Sequence, residues 1–161
     1  MTMKPIPKSL RLAALAAAVA AAGVTFAQQP PKPENLIKWR QSAFQVVAWN
    51  AGRIKSNLDS GYNKDQVLRS ANAIAAIANA GLGSLFAPGS ETGKGWHDTS
   101  AKPELFANSA RFAELGAEFG KESSELARVV SSGADAAVVK EQFARLQKTC
   151  KSCHDDFRNA N

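Results

Sequence analysis

The sequence predicts an all-α protein, an antiparallel up-down-up-down four-helix bundle, and three observations support this fold class. Apolar residues recur at spacings of three and four in four separate segments, Gly- and Ser-containing links end these segments, and strand-like alternation is absent. The 161 residues also contain only two cysteines and two histidines. These are too few for a disulfide-stapled scaffold or for a zinc site assembled from several motifs, so an apolar core must hold the fold.

Residues 1–27 predict a secretory signal peptide that is cleaved after Ala27, leaving residues 28–161 as the folded domain. Residues 1–11 carry three positive charges and no acid, and a nearly continuous apolar run follows from Leu12 to Val24. An N-terminal membrane anchor is the alternative, which the shortness of this run disfavours. We therefore expect a periplasmic protein with no membrane attachment after cleavage.

Charge and helix signals describe the remaining chain. Three of the 20 basic residues lie in the predicted signal peptide, so residues 28–161 contain 17 basic and 14 acidic residues. The resulting net charge of +3 argues against nucleic-acid binding.

The first helix is predicted from Pro33-Glu34, where the acid lies near the positive end of the helix dipole, to Asp59-Ser60-Gly61. The second is predicted from about Lys64 to Ala80. Their apolar stripes consist of Ile37, Phe44, Val47, Ala51, Ile54 and Leu58, and of Val67, Ala71, Ile74 and Ala78.

A loop over residues 87–101 precedes the third helix, which is predicted from Pro103-Glu104 to about Val130. A fourth helix is predicted from about Asp135 through Phe157. Their apolar faces consist of Leu105, Phe112, Leu115, Phe119, Leu126 and Val129, and of Val139, Phe143, Leu146, Cys150, Cys153 and Phe157.

The most informative segment is Cys150-Lys151-Ser152-Cys153-His154, because its C-x-x-C-H pattern is typical of c-type haem attachment. Two thiols three residues apart lie on one face of a helix, where each can add to a porphyrin vinyl group while the adjacent imidazole reaches the iron. We therefore expect one covalently attached haem c.

Other uses of the two cysteines are less consistent with the chain. A thioredoxin-like redox pair requires a strand beside it in an alternating α/β pattern. A disulfide between residues three apart in a helix has poor geometry. A zinc site has only Cys150, Cys153, His154 and at most His97 as ligands.

The second axial ligand of the iron decides the functional class. Both methionines, Met1 and Met3, lie in the leader, so the mature chain has no thioether for the position that electron carriers often give to methionine. The only other imidazole is His97, in the long loop, and we interpret it as a surface residue. The prediction is a five-coordinate iron with one open position.

Two residues of the first helix are candidates for the surroundings of the haem. Arg40 interrupts the apolar stripe, either as an arginine whose guanidinium reaches water or as the partner of a haem propionate. Phe44 follows one turn later. It is either an ordinary core residue or a side chain that lies over the haem ring.

These features resemble the cytochromes c′, a family of exported bundles that is itself a standard example of the up-down-up-down architecture. The resemblance covers most of the mature chain. Its most specific parts are the run from Cys150 to Arg158, the run from Trp39 to Phe44 and the loop from Phe86 to Glu91.

The resemblance implies roles for single residues. His154 would be the sole protein ligand of the iron, Arg40 would contact a propionate, and Arg158 would lie near the proximal face. Phe44 falls on the bulky apolar distal position, where many members have leucine. Gln41 and Glu91 are further candidates for the haem edge.

The resemblance implies that the protein binds small diatomic gases and can also take part in electron transfer. An apolar distal cover offers bound oxygen no hydrogen bond, whereas CO and NO depend less on one. We hypothesise that Phe44 swings aside to admit a ligand and that, with NO, His154 leaves the iron while Arg158 steadies a ligand on the vacated face.

The alternative is a dedicated one-electron carrier with a six-coordinate haem and a redox partner protein. We do not expect an enzyme, because no catalytic constellation is recognisable.

The outer face of the first helix predicts association. Leu36, Val46 and Trp49 give it more apolar surface than a solvated helix requires, so we expect a homodimer in which the first helices cross. The alternative is that Trp39 and Trp49 only flank the core.

Overall fold

The computed structural model describes residues 30–159. The predicted signal peptide and its cleavage site lie outside these residues and stay predictions. Within the described residues the chain forms α1 (Pro33–Ser60), α2 (Lys64–Ala78), a 3₁₀ turn (Leu82–Leu85), the short α3 (Glu104–Ala107), α4 (Ser109–Ser131) and α5 (Ala136–Phe157). The four long helices and the lack of any extended strand in residues 30–159 confirm the predicted four-helix bundle.

Helix boundaries follow local capping signals. Pro33 occupies the first turn of α1, and the side chains of Asn63 and Asp135 accept hydrogen bonds from backbone N–H groups in the first turns of α2 and α5. The third predicted helix is wrong in one respect, because it is interrupted at Asn108. That residue leaves the helical conformation and its side chain caps α4 through the backbone N–H of Arg111.

The predicted apolar stripes meet in one main core. Helices adjacent in sequence pack against each other, and all four long helices contribute to it, through Val47, Ile54, Val67, Ala71, Ile74, Leu126, Val129, Val130, Val139, Phe143 and Leu146. Leu36 was expected on the outer face of α1 but is buried, with 6% of its surface exposed. It lies one position from Ile37 and shares the inner side of the helix.

A second cluster lies toward the chain end. Leu105, Leu115 and Phe157 are buried there, and Phe86, Phe106, Phe112 and Cys153 pack against them. The bundle therefore has an apolar main core and a separate, largely aromatic cluster that includes one cysteine of the C-x-x-C-H motif.

Candidate functional site

The C-x-x-C-H motif lies in the last two turns of α5. Neither Cys150 nor Cys153 forms a disulfide, and both are partly exposed. Cys153 packs against the cluster around Leu105 and Phe157, whereas the Sγ of Cys150 lies 3.5 Å from the carbonyl oxygen of Leu146. Because the helix continues to Phe157, the two thiols lie on one face, as the spacing predicts.

The ionisation of the two thiols follows from their surroundings. Burial raises the pKa of the Cys150 thiol, and burial together with the nearby Asp156 raises the pKa of the Cys153 thiol. Both therefore favour the neutral thiol, in contrast to the thiol of a redox pair, whose pKa is lowered. Within residues 30–159 no group of three or more His, Cys, Asp and Glu side chains is arranged to hold a metal ion.

The imidazole of His154 favours its neutral form. Partial burial and the positive charge of Arg158 lower its pKa, against a smaller opposing effect of Asp155. Neutral imidazole is the form that donates a nitrogen lone pair to a metal. Two free thiols, a neutral imidazole and an apolar cluster beside them therefore fit a covalently bound haem.

A row of four phenylalanines connects α1 with the motif helix. Ring centroids lie 6.4 Å apart for Phe44 and Phe86, 4.9 Å for Phe86 and Phe112, and 6.1 Å for Phe112 and Phe157. This aromatic row begins one turn after Arg40 and ends three residues after His154. The structure thus brings Phe44 to the same end of the bundle as the C-x-x-C-H motif, as a side chain that is 39% exposed.

Arg40 is buried and fully engaged at its terminal nitrogens. Its Nη1 donates to the carbonyl oxygen of Leu85 (3.1 Å) and to Ser90 Oγ (2.8 Å). Its Nη2 donates to the Ser90 carbonyl oxygen and to Thr99 Oγ1, both at 2.7 Å. The guanidinium also lies 4.8 Å from the ring centroid of Phe86. The reading in which it reaches water is therefore wrong, and the Nε–H is the one donor left for a propionate.

Gln41 holds another part of the same loop. Its amide nitrogen donates to the carbonyl oxygen of His97 (2.9 Å), and its amide oxygen accepts from the backbone N–H of Trp96 (2.8 Å). Gly95 permits this close approach, because a Cβ there would lie 2.8 Å from the backbone nitrogen of Lys38. His97 is exposed, and its Nδ1 lies 2.8 Å from the carbonyl oxygen of Asp98.

Glu91 lies within the loop, and Arg158 lies beside the end of the loop, where it pairs with Ala101. The carboxylate of Glu91 accepts from the backbone N–H of Gly89 (3.0 Å), a bond that lowers its pKa, with the positive charge of Arg40 acting in the same direction. Arg158 ends α5, and its backbone N–H donates to the carbonyl oxygen of His154 (3.0 Å).

Sequence reasoning missed the contacts of Ser90 and Thr99. Ser90 is fully buried and its hydroxyl also donates to the carbonyl oxygen of Ala87. Both residues lie in an irregular loop, where no periodicity distinguishes a buried hydroxyl from an exposed one. The one available signal was the charged residue in the stripe of the first helix, which needed polar partners.

A helical bundle with a C-x-x-C-H motif in its last helix and an aromatic cluster beside it defines a c-type haem protein. The chain matches the family model Cytochrome C' over residues 35–158 and belongs to the cytochrome c′ family. It is similar to cytochrome c′ of Rhodocyclus tenuis, with 58% identity over 131 residues that cover 81% of this chain and 98% of the relative.

Solved structures agree with this assignment. One is a cytochrome c′ with an unusual ligand-controlled dimer dissociation, 39% identical, with a TM-score of 0.78 and coverage of 82% of this chain and all of that one. Another is the nitric oxide complex of a cytochrome c′ variant from Alcaligenes xylosoxidans, 26% identical, with a TM-score of 0.72 and coverage of 83% and 100%. The family carries covalently attached haem c, which Cys150 and Cys153 are placed to hold.

Proposed function

We propose that this chain binds small diatomic gases, NO and CO, at a haem whose only protein ligand is His154, and that it also takes part in electron transfer. The observation that carries the proposal is the small set of side chains that could bind the iron. Residues 30–159 contain no methionine, and the second histidine, His97, is held on the outer side of α1 by Gln41. A haem bound to Cys150 and Cys153 supplies an iron that takes up a gas or one electron.

The side chains around the motif have separate roles in this proposal. Phe44 would lie over the haem on the side opposite His154, where its ring would exclude water and offer no hydrogen bond. Arg158 places a positive charge beside His154. Arg40 offers its Nε–H to a haem propionate. Gln41 and Glu91 hold the loop at the edge of the haem.

Gas binding is supported by the relative from Alcaligenes xylosoxidans that was solved with nitric oxide. Phe44 also supports gas binding, because its apolar ring offers no hydrogen bond to a ligand bound beside it. For the same reason we propose that the protein is not an enzyme. A dedicated carrier with a six-coordinate haem would require a second side chain on the iron; residues 30–159 contain no methionine, and His97 is exposed beside Gln41, which favours the five-coordinate alternative.

We further propose a periplasmic homodimer that associates through α1. Trp39, Val46 and Trp49 are 49%, 44% and 61% exposed along one side of that helix. Dimer formation by the solved relative with ligand-controlled dissociation supports this arrangement. None of the helices in residues 30–159 is long and apolar enough to span a bilayer.

Optical and resonance-Raman spectra of the ferrous protein, before and after CO, test the proposal. We expect a five-coordinate high-spin spectrum that becomes six-coordinate on addition of CO. A six-coordinate low-spin spectrum in the absence of CO would establish the electron-carrier alternative. The intact mass provides a companion measurement, with the chain from Gln28 plus one covalent haem as the expected value.

A further inference from the structure

Besides the contacts of Gln41 with Trp96 and His97, the loop between the 3₁₀ turn and α3 is attached to the bundle at two further places. At the first, Arg40 holds Ser90 and Thr99 through three hydrogen bonds of 2.7–2.8 Å. Thr99 is held twice more, because its Oγ1 accepts from the backbone N–H of Ala101 (3.3 Å) and its own N–H donates to the carbonyl oxygen of Gly93 (3.0 Å). We call residues 90–102 the strap.

The second attachment joins the strap to the residues that follow His154. Ala101 and Arg158 form an antiparallel bridge, in which the Lys102 N–H donates to the Phe157 carbonyl oxygen (2.9 Å) and the Asn159 N–H donates to that of Ser100 (2.8 Å). The Nζ of Lys102 also donates to the carbonyl oxygen of Asp155 (2.8 Å). The strap therefore satisfies backbone groups that the end of α5 leaves without helical partners.

Thr99 is the residue at which the two attachments meet. It contacts Arg40 on one side and Ala101 on the other, and Ala101 pairs directly with Arg158. A continuous hydrogen-bonded path thus leads from α1, one turn before Phe44, to the backbone four residues after His154. In residues 30–159 no side-chain hydrogen bond or ion pair joins α1 directly to α5, so the hydrogen-bonded connection between them runs through the strap.

We propose that Thr99 is a positioning residue that, through Arg40 and the strap, fixes the end of α5 and with it the orientation of His154 and Arg158. The inference rests on the proposed function, which places His154 and Arg158 on the proximal side of the haem, the side of its protein ligand. It goes beyond that function because it couples the proximal side to the buried arginine of α1. Loss of the Thr99 hydroxyl leaves one N–H of a buried guanidinium without a partner, so the attachment weakens at its centre.

Hydrogen exchange of the holoprotein and the iron–histidine stretching band of its ferrous form test this role. In Thr99→Val we expect the Lys102 and Asn159 amides to exchange about tenfold faster, together with a shift or broadening of the band. Thr99→Ser retains the hydroxyl and should restore both properties. Thr92→Val, an exposed threonine of the same strap, is the matched control and should resemble the wild type.

Exchange of Lys102 and Asn159 within about twofold of the wild type in Thr99→Val would overturn the proposal, even if amides of residues 90–99 exchanged faster. If Thr99→Val does not fold, Ser90→Ala removes a neighbouring contact of Arg40 and is expected to accelerate the same two amides. The exchange measurement does not depend on coordination number. A six-coordinate spectrum would therefore refute the proposed function separately.

Discussion

Arg40 and Gln41 are neighbours in α1 that hold different parts of the same loop. Arg40 is directed inward, and burial lowers the pKa of its guanidinium while the charge of Glu91 opposes this effect. Gln41 is directed toward the backbone of Trp96 and His97. Arg40 thus holds both ends of the segment 90–99, at Ser90 and Thr99, and Gln41 holds Trp96 and His97 within it.

Glu91 should make the stability of the protein depend on pH in the acid range. The hydrogen bond from Gly89 and the charge of Arg40 hold its pKa below the ordinary value of 4.5. The carboxylate therefore stabilises the fold above that value, and the contribution is lost as the pH falls through the lower pKa of the folded state. In Glu91→Gln, urea unfolding at a series of pH values should show a weaker acid dependence than in the wild type.

The exposed Glu118 on α4, for which no ion pair is found among the described residues, provides the control. Glu118→Gln should retain the pH dependence of the wild type. Identical acid profiles for Glu91→Gln and the wild type would show that the Gly89 bond does not persist in solution.

Phe44 should control how quickly a gas reaches the distal side. Its ring covers this end of α1 and contacts Phe86, so removing it opens an apolar path. In Phe44→Ala we expect CO association to be at least about tenfold faster, which corresponds to about 1.4 kcal/mol of barrier. Stopped-flow or flash-photolysis measurements would show this. Phe44→Leu should give an intermediate rate, and an unchanged rate in Phe44→Ala would remove the gating role.

At the scale of elements, the interrupted third helix shows why periodicity alone misjudges a boundary. Leu105 and Phe112 are seven residues apart and both lie in the aromatic cluster, so the apolar pattern continues across the break. Asn108 nevertheless ends α3, with φ −112° and ψ 59°, and caps α4. The pattern reports which side of the chain is buried, not whether each intervening residue is helical.

Removal of this cap should destabilise α4. In Asn108→Ala the backbone N–H of Arg111 loses its acceptor, and we expect the free energy of unfolding to fall by about 1 kcal/mol. Urea denaturation of the holoprotein would measure the change. Asn108→Asp keeps an acceptor oxygen and should lose much less. An equal loss in both variants would mean that the cap is not the cause.

At the scale of the whole molecule, the residues that form the main core and the residues that form the candidate haem site lie in different parts of the bundle. The main core is built from apolar residues of all four long helices, and its buried members are aliphatic except for Phe143. The aromatic cluster, the strap and the C-x-x-C-H motif lie together at the end where α5 finishes. Substitutions in the main core should therefore affect unfolding, whereas substitutions around the strap should affect the site.

The outer face of α1 should govern the oligomeric state. Val46 and Val138 are each 44% exposed, the first on α1 and the second on α5. In sedimentation at micromolar concentration, Val46→Glu should shift the dimer toward monomer, because it places a charge within the apolar strip of Trp39 and Trp49. Val138→Glu should remain dimeric. If both variants resemble the wild type, α1 is not the interface.

Much of the fold could be predicted because its signals are local. The stripes of α2 and α5 identified their buried residues, and Pro33 and Asp135 marked helix starts. Leu36 and the break at Asn108 could not be assigned in this way. A helix face is defined to within a residue or so by periodicity, and a cap depends on the backbone conformation that the neighbouring elements impose.

By itself the sequence determined the class of cofactor and the order of the helices. Thiol spacing, the adjacent imidazole and the repeat of apolar residues all act within a few turns of one helix. Only the tertiary structure decided what Arg40 holds, since its partners lie 45, 50 and 59 residues away in an irregular loop. A buried charge must find acceptors wherever the chain brings them, and no local pattern records which ones those are.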